Sequence, residues 1–104
     1  MFIQMSIHVP NPGHEREVLD ALNRMRFAAL GTPGLDQVGP WREVGDGRIV
    51  GIAMWESRRH WEAAIPMLSD VTSADDPDGL WYAQPPERLL LEDVGVLPPD
   101  GLFD

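Results

Sequence analysis

Three histidines and four tryptophans are the residues of this chain whose types could support chemistry on a small molecule. Histidine is the side chain whose ordinary pKa lets it exchange a proton near neutral pH. Two tryptophans and one histidine fall within seven residues in the stretch VGIAMWESRRHWEAA, at Trp55, His60 and Trp61. This stretch is either part of an active site or a strand-to-helix junction. His8 lies apart from it, two and four residues beyond Ser6 and Gln4, and is our candidate general base.

Other catalytic constellations are missing from the sequence. Zero cysteines exclude disulfides, thiolate metal sites and cysteine nucleophiles. We find no glycine-rich phosphate loop, no nucleophile elbow and no histidine or carboxylate spacing typical of a metal site. Asp75, Asp76 and Asp78 form a carboxylate cluster, which we interpret as a solvated loop rather than a calcium site. The sequence therefore predicts a protein without a metal or flavin cofactor.

The net charge of −9 is concentrated near the C-terminus, where nine acidic residues between Asp70 and Asp104 oppose Arg88 alone. An acidic chain without a basic stripe argues against nucleic acid or an anionic membrane as a partner. The N-terminus lacks the pattern of a signal peptide, and no apolar run approaches the roughly 20 residues that span a bilayer. We expect a soluble cytoplasmic protein.

Hydrophobic periodicity predicts four strands and two helices. Alternating apolar residues indicate a strand over 2–9, and a spacing of three to four indicates a helix over 14–30, with Asn11 and Pro12 as its N-cap and first position. Gly39 and Pro40 indicate that the second strand is an edge or contains a bulge. Pro66 should kink or shorten the second helix. Two strands are predicted over 35–44 and 48–55, with a turn at 45–47 between them. A second helix is predicted from its cap at Ser57 to about residue 69, and an acidic loop over 70–86 leads to a last strand over 88–94.

This β-α-β-β-α-β order is that of the α+β, ferredoxin-like fold, an antiparallel sheet with helices on one face. Residues 1–94 form the predicted domain and residues 95–104 a C-terminal tail. A chain of one domain has nothing to cover the second apolar face of its sheet except another copy of itself. We therefore predict a homodimer.

The chain resembles the antibiotic biosynthesis monooxygenase family of dimeric α+β barrels. The resemblance rests on the element order, on NPG before the first helix, on GTPGL after it, and on MWESRRHWEAA, and it covers roughly residues 1–94. Membership would imply a homodimer whose sheets pack face to face, with a cleft for a small ligand in each protomer between the sheet and the helices.

The resemblance also implies site residues. It turns the Gln4, Ser6 and His8 face of the first strand toward the cleft, where His8 would deprotonate an acidic aromatic substrate and the other two would supply polar contacts. Trp55, Trp61 and Trp81 would supply aromatic walls. The simpler interpretation of Trp55 and Trp61 is core packing, and that of His14 and His60 is a place on the surface or at the helix edge.

Haem degradation, which some members of the wider family carry out, is disfavoured by three departures from their pattern. Those members have an asparagine on the first strand and a tryptophan and a histidine on or after the second helix. The corresponding positions here are Ser6 and, approximately, Ala64 and Ala74.

Two functions follow. The first is a cofactor-independent monooxygenase acting on a small aromatic or polyketide-like molecule, since such chemistry needs a base and a dry pocket. The alternative is a non-catalytic homodimeric ligand-binding or stress-related module on the same fold.

Overall fold

The structure, a computed structural model, describes residues 1–95. Its six elements follow the predicted β-α-β-β-α-β order, so the ferredoxin-like class is confirmed. They are β1 (Phe2–His8), α1 (Glu15–Ala29), β2 (Leu35–Arg42), β3 (Ile49–Trp55), α2 (Arg58–Thr72) and β4 (Glu87–Glu92). The predicted tail over 95–104 lies, from residue 96 onward, outside the described residues.

The four strands form one antiparallel sheet in the order β2-β3-β1-β4. β1 and β3 are its central strands, and their register pairs Phe2 with Trp55 and His8 with Ile49. Because side chains alternate along a strand, residues 2, 4, 6 and 8 share one face with residues 49, 51, 53 and 55. Phe2, Ile49 and Trp55 are buried on this face, so it is the face that packs against the helices.

The helices contribute small and branched apolar residues to this core. Val18 and Ala29 of α1 and Ala64 of α2 are almost completely buried. Ala64 belongs to one cluster with Phe2 and Trp55, and Trp61 and Leu68 pack against its edge. One apolar face of each helix therefore packs on the sheet, in keeping with the apolar spacing that predicted the helices.

The boundary of α1 differs from the prediction. The helix begins at Glu15 with His14 as its N-cap, so the prediction of Asn11 as the cap was wrong. Asn11 instead donates its backbone N–H to the Trp81 carbonyl at 2.7 Å and its side-chain amide to the Leu80 carbonyl at 3.0 Å. Its polar groups bind a distant loop, which local capping rules cannot anticipate.

The boundary of α2 differs as well. Ser57 caps it as predicted, since its hydroxyl accepts the His60 backbone N–H at 3.3 Å. The helix then continues through Pro66 to Thr72, so Pro66 does not shorten it. Packing of residues on both sides of the proline, Trp61 and Leu68, against the core offsets the one backbone hydrogen bond that proline removes.

β2 is an edge strand, as Pro40 indicated. The irregularity in its pairing lies between Leu35 and Gln37 rather than at Pro40, which pairs with Gly51. The predicted turn at 45–47 joins β2 to β3, and the Glu43 N–H donates to the Arg48 carbonyl at 2.8 Å.

The second sheet face carries apolar side chains that neither α1 nor α2 covers. It presents alternate residues of all four strands: Ile3, Met5, Ile7, Trp41, Val50, Ile52, Met54, Leu89 and Leu91. Trp41 is 57% exposed and Leu91 41% exposed. We call these nine residues the open face. Within residues 1–95, no helix has the length and apolar character needed to cross a membrane.

The loop before β2 gives a first testable prediction. Gly34 has a φ of +79°, and a Cβ added there would lie 2.2 Å from the His60 Cγ. Gly34→Ala should therefore lower the free energy of unfolding by about 2 to 4 kcal/mol, because alanine is strained at a positive φ and its Cβ would clash with His60. Gly31→Ala is the matched control, because its φ is +84° with no atom within 4 Å of the added Cβ. Urea unfolding compares them, and equal losses would contradict the His60 contact.

Candidate active site

A cavity of about 530 Å³ lies between the helix-facing side of the sheet and the two helices. This volume is typical of sites that hold a small organic molecule. Most of its wall is apolar, contributed by Val18, Leu22, Met25, Val38, Ile65 and Leu68. The polar side chains of the wall include Gln4, Ser6, His8, Tyr82 and Arg88.

β1 positions three of these polar groups. Gln4, Ser6 and His8 share the helix-facing side because of the strand's period of two, and all three line the cavity. Gly51 of β3 lies opposite Ser6, and a Cβ at that position would be 2.7 Å from Ser6 Oγ and 3.3 Å from Leu22. The missing side chain therefore leaves room for the Ser6 hydroxyl.

His8 is the only buried polar or charged residue among residues 1–95, at 8% exposed. Both of its ring nitrogens have hydrogen-bond partners. Nδ1 lies 2.8 Å from the Tyr82 hydroxyl and Nε2 lies 2.7 Å from Ser6 Oγ. The side chain is therefore fixed in orientation between two hydroxyl groups.

The connection from α2 to β4 brings Tyr82 to this position. Asp76 turns the chain with a φ of +49°, and its carboxylate accepts the backbone N–H groups of Leu80 at 2.7 Å and Trp81 at 3.2 Å. An isolated bridge then pairs Tyr82 with Pro10, just beyond the end of β1. The loop is thus bound to the strand that carries His8.

The environment keeps both members of this pair neutral. Burial, with a smaller contribution from the positive charge of Arg88, lowers the pKa of His8 to about 4. Burial, with the negative charges of Asp76 and Asp75, raises the pKa of Tyr82 to about 12. At neutral pH the imidazole is therefore in its neutral form, with one ring nitrogen protonated, and the phenol keeps its proton.

This pKa predicts how stability depends on pH. His8 titrates near 4 when folded and near 6.5 when unfolded, so the unfolded chain takes up the proton first as the pH falls. The stabilisation is complete above pH 6.5 and is lost toward pH 4. Between pH 7 and 5.5 we expect a loss of about 1 kcal/mol in the free energy of unfolding. The His8→Gln protein should lack this pH-dependent part of the free energy of unfolding, measured by urea unfolding at each pH. The same pH dependence in both proteins would contradict the lowered pKa of His8.

The three candidate tryptophans have different environments. Trp61 donates its indole N–H to Gln4 Oε1 at 3.2 Å, and its ring lies 5.0 Å from that of Phe2. Trp55 is fully buried in the core and borders the cavity, and its indole N–H has no partner within the described residues. Trp81 is half-buried and donates to Glu17 Oε2 at 2.8 Å. All three line the cavity.

The other two histidines lie outside the cavity lining. His60 Nδ1 is 2.7 Å from Ser57 Oγ, and its ring packs on Gly34. His14 Nδ1 is 2.7 Å from Glu17 Oε1 at the start of α1. The stretch from Trp55 to Trp61 therefore acts as a strand-to-helix junction whose tryptophans, but not its histidine, reach the cavity.

The one histidine of the cavity wall is not free to ligate a haem iron or a metal ion in this structure, because both of its ring nitrogens have hydrogen-bond partners. Across residues 1–95, no three histidine, aspartate or glutamate side chains are grouped as a metal site requires.

Sequence reasoning did not identify Tyr82, Arg88 or Gly51 as site residues. Tyr82 is 74 positions from His8 and lies in a segment without periodicity, so no local pattern connects them. Arg88 is the single basic residue of the acidic C-terminal region, and this isolation could have marked it as a candidate site residue.

Comparison with solved structures supports the fold. A candidate antibiotic biosynthesis monooxygenase from Nitrosomonas europaea is 13% identical, with a TM-score of 0.70 over 91% of this chain and 100% of that chain. A variant of SnoaB, a cofactor-independent oxygenase from Streptomyces nogalater, is 18% identical, with a TM-score of 0.68 over 93% and 96%. The haem-degrader MhuD from Mycobacterium tuberculosis is 16% identical, with a TM-score of 0.68 over 94% and 100%.

These TM-scores establish a shared fold, and the resemblance inferred from the sequence is confirmed at that level. No protein-family model matches the chain. No curated protein matches it in sequence.

Proposed function

We propose that this protein is a cofactor-independent monooxygenase that acts on a small aromatic or polyketide-like carbon acid. The observation that carries the proposal is a buried, neutral histidine in the wall of a largely apolar cavity of about 530 Å³. The similarity in fold to SnoaB, a cofactor-independent oxygenase, supports the same reaction class.

The reaction requires two things of the protein, which are proton transfer and the exclusion of water. Removal of a proton from an activated CH₂ group gives an enolate, which transfers electrons to O₂ and forms a carbon–oxygen bond. The resulting hydroperoxide loses water, so CH₂ becomes C=O while one oxygen atom enters the product and the other enters water. His8 is the general base in this proposal, and an apolar wall protects the enolate from water.

The substrate contacts follow from the cavity wall. Ser6 and Gln4 supply polar groups on the strand that carries His8, and Trp55, Trp61 and Trp81 supply aromatic surface. Flat aromatic rings suit such walls because they bury a large area in a defined geometry.

We also propose that the active form is a homodimer in which two open faces pack together. The open face carries nine apolar side chains, and Trp41 at 57% exposed is the largest of them. Soluble monomers rarely expose a contiguous apolar surface of this kind.

Anthrone tests the function, because its CH₂ group is acidic and its enolate reacts with oxygen. We expect purified protein without added cofactor to accelerate the conversion of anthrone and O₂ to anthraquinone and water, with one O₂ consumed per quinone. Anaerobic samples should form no quinone. Quenching of tryptophan fluorescence by anthrone without any acceleration would instead favour the non-catalytic binding module.

A further inference from the structure

We propose that Ser6, His8 and Tyr82 form a proton relay, in which the imidazole passes a proton between two hydroxyl groups by exchanging tautomers. The relay deepens the proposed function, on which it rests for its role in turnover. It assigns catalytic roles to Ser6 and Tyr82, whose side chains line the same cavity as His8.

The geometry is that of a continuous chain. Tyr82 Oη lies 2.8 Å from His8 Nδ1, and Ser6 Oγ lies 2.7 Å from His8 Nε2. Neither hydroxyl has another hydrogen-bond partner among residues 1–95. Within this part of the protein each hydroxyl therefore bonds only to His8, which leaves it able to bond to a ligand in the cavity or to water.

Counting protons shows why two arrangements exist. Three neutral groups carry three exchangeable protons, one on each hydroxyl and one on the imidazole, and two of them make the internal hydrogen bonds. In the first arrangement Tyr82 donates to Nδ1, Nε2–H donates to Ser6, and the Ser6 proton is free. In the second, Ser6 donates to Nε2, Nδ1–H donates to Tyr82, and the Tyr82 proton is free.

One transfer of protons along the relay converts the second arrangement into the first. A proton from the ligand bonds to Ser6 Oγ, the original Ser6 proton moves to Nε2, and the Nδ1 proton moves to Tyr82. The original Tyr82 proton leaves to water, which the half-buried phenol can reach. Each hydroxyl oxygen gains one proton and loses one. The imidazole gains a proton at Nε2 and loses one at Nδ1, so the ring stays neutral and no electrons are exchanged.

The relay explains how this histidine could serve catalysis. Burial and Arg88 make its imidazolium costly, with a pKa near 4, so a mechanism that stores the proton on His8 is disfavoured at neutral pH. In the relay His8 accepts one proton as it releases another, so the charged form does not accumulate.

The two carboxylates near the relay bond to other groups, so the Ser6, His8 and Tyr82 side chains stay neutral. Asp75 lies 2.5 Å from the Arg24 guanidinium, and the Asp76 carboxylate accepts backbone N–H groups. Neither carboxylate contacts Tyr82 through a hydrogen bond. Gly51 leaves the space that the Ser6 hydroxyl occupies.

Two variants test the relay without any substrate. In Ser6→Ala, Nε2 loses its partner, and a buried N–H without an acceptor is costly, so the proton should move to Nδ1 and bond to Tyr82. In Tyr82→Phe, Nδ1 loses its partner, so the proton should move to Nε2 and bond to Ser6. Nitrogen-15 NMR at pH 7 should therefore show opposite His8 tautomers in the two variants.

The signals of His14 and His60, which lie outside the cavity, are internal controls and should not change. The same His8 tautomer in both variants, or a doubly protonated His8 at pH 7, would overturn the relay. If either variant does not fold, Ser6→Gly and Tyr82→Leu remove the same hydroxyls and have the same expected outcomes. Opposite tautomers in a protein that does not oxidise anthrone would contradict the proposed function and leave the relay in place.

Discussion

Replacing His8 with alanine is expected to slow anthrone oxidation by about a hundredfold to ten thousandfold, the usual loss when a general base is removed. Steady-state oxygen uptake at pH 7 measures the effect. Because His8 is buried and makes two side-chain hydrogen bonds, its loss should also destabilise the fold. The rate is therefore compared at a temperature where circular dichroism shows the variant to be folded.

His60→Ala is the matched control, since His60 bonds Ser57 at the start of α2 and does not line the cavity. Its oxidation rate should stay within a few-fold of that of the unmodified protein. A folded His8→Ala protein with the unmodified rate would remove His8 from the mechanism.

Replacing Met5 with aspartate is expected to convert the proposed homodimer to a monomer. Met5 lies on β1 at the centre of the open face, between Ile52 and Leu89 in the strand register. Two unpaired carboxylates buried at a dimer interface cost several kcal/mol each, so the dissociation constant should rise by on the order of a thousandfold or more. Sedimentation at micromolar concentration should give twice 11.6 kDa for the unmodified chain and 11.6 kDa for the variant.

Phe27→Asp is the control for this prediction, because Phe27 is 72% exposed on α1 rather than on the sheet. It places the same charge on a surface that the dimer does not use and should leave the sedimentation unchanged. A monomeric unmodified protein would contradict the dimer, as would dissociation by Phe27→Asp alone.

Much of the fold could be predicted because its strands and helices have distinct hydrophobic periods. The alternation along β1 predicted a strand whose successive side chains point to opposite faces of the sheet, and the register with β3 agrees. The serine before α2 also marked a boundary correctly, since its hydroxyl satisfies a local backbone group.

The errors arose where a distant contact decided the local structure. Asn11 has the side chain of a helix cap, yet it bonds a loop some 70 residues away. Pro66 removes one helical hydrogen bond, yet contacts of Trp61 and Leu68 with the core hold the helix together around it.

The candidate site was predictable only where it lies on a regular element. Gln4, Ser6 and His8 alternate along a strand, so their shared face followed from the sequence. Tyr82 reaches His8 because Asp76 and Asn11 fix the loop in place, and no pattern in the sequence encodes that contact.

The central proposal is that this cavity oxygenates a carbon acid with His8 as the general base. The most direct measurement is the incorporation of oxygen-18 from labelled O₂ into anthraquinone by the purified chain, with the His8→Ala variant alongside. We predict one labelled atom per quinone, formed faster than without protein and without added cofactor, and loss of that acceleration in the variant. Unlabelled quinone, or a rate that requires added flavin or haem, would contradict the claim.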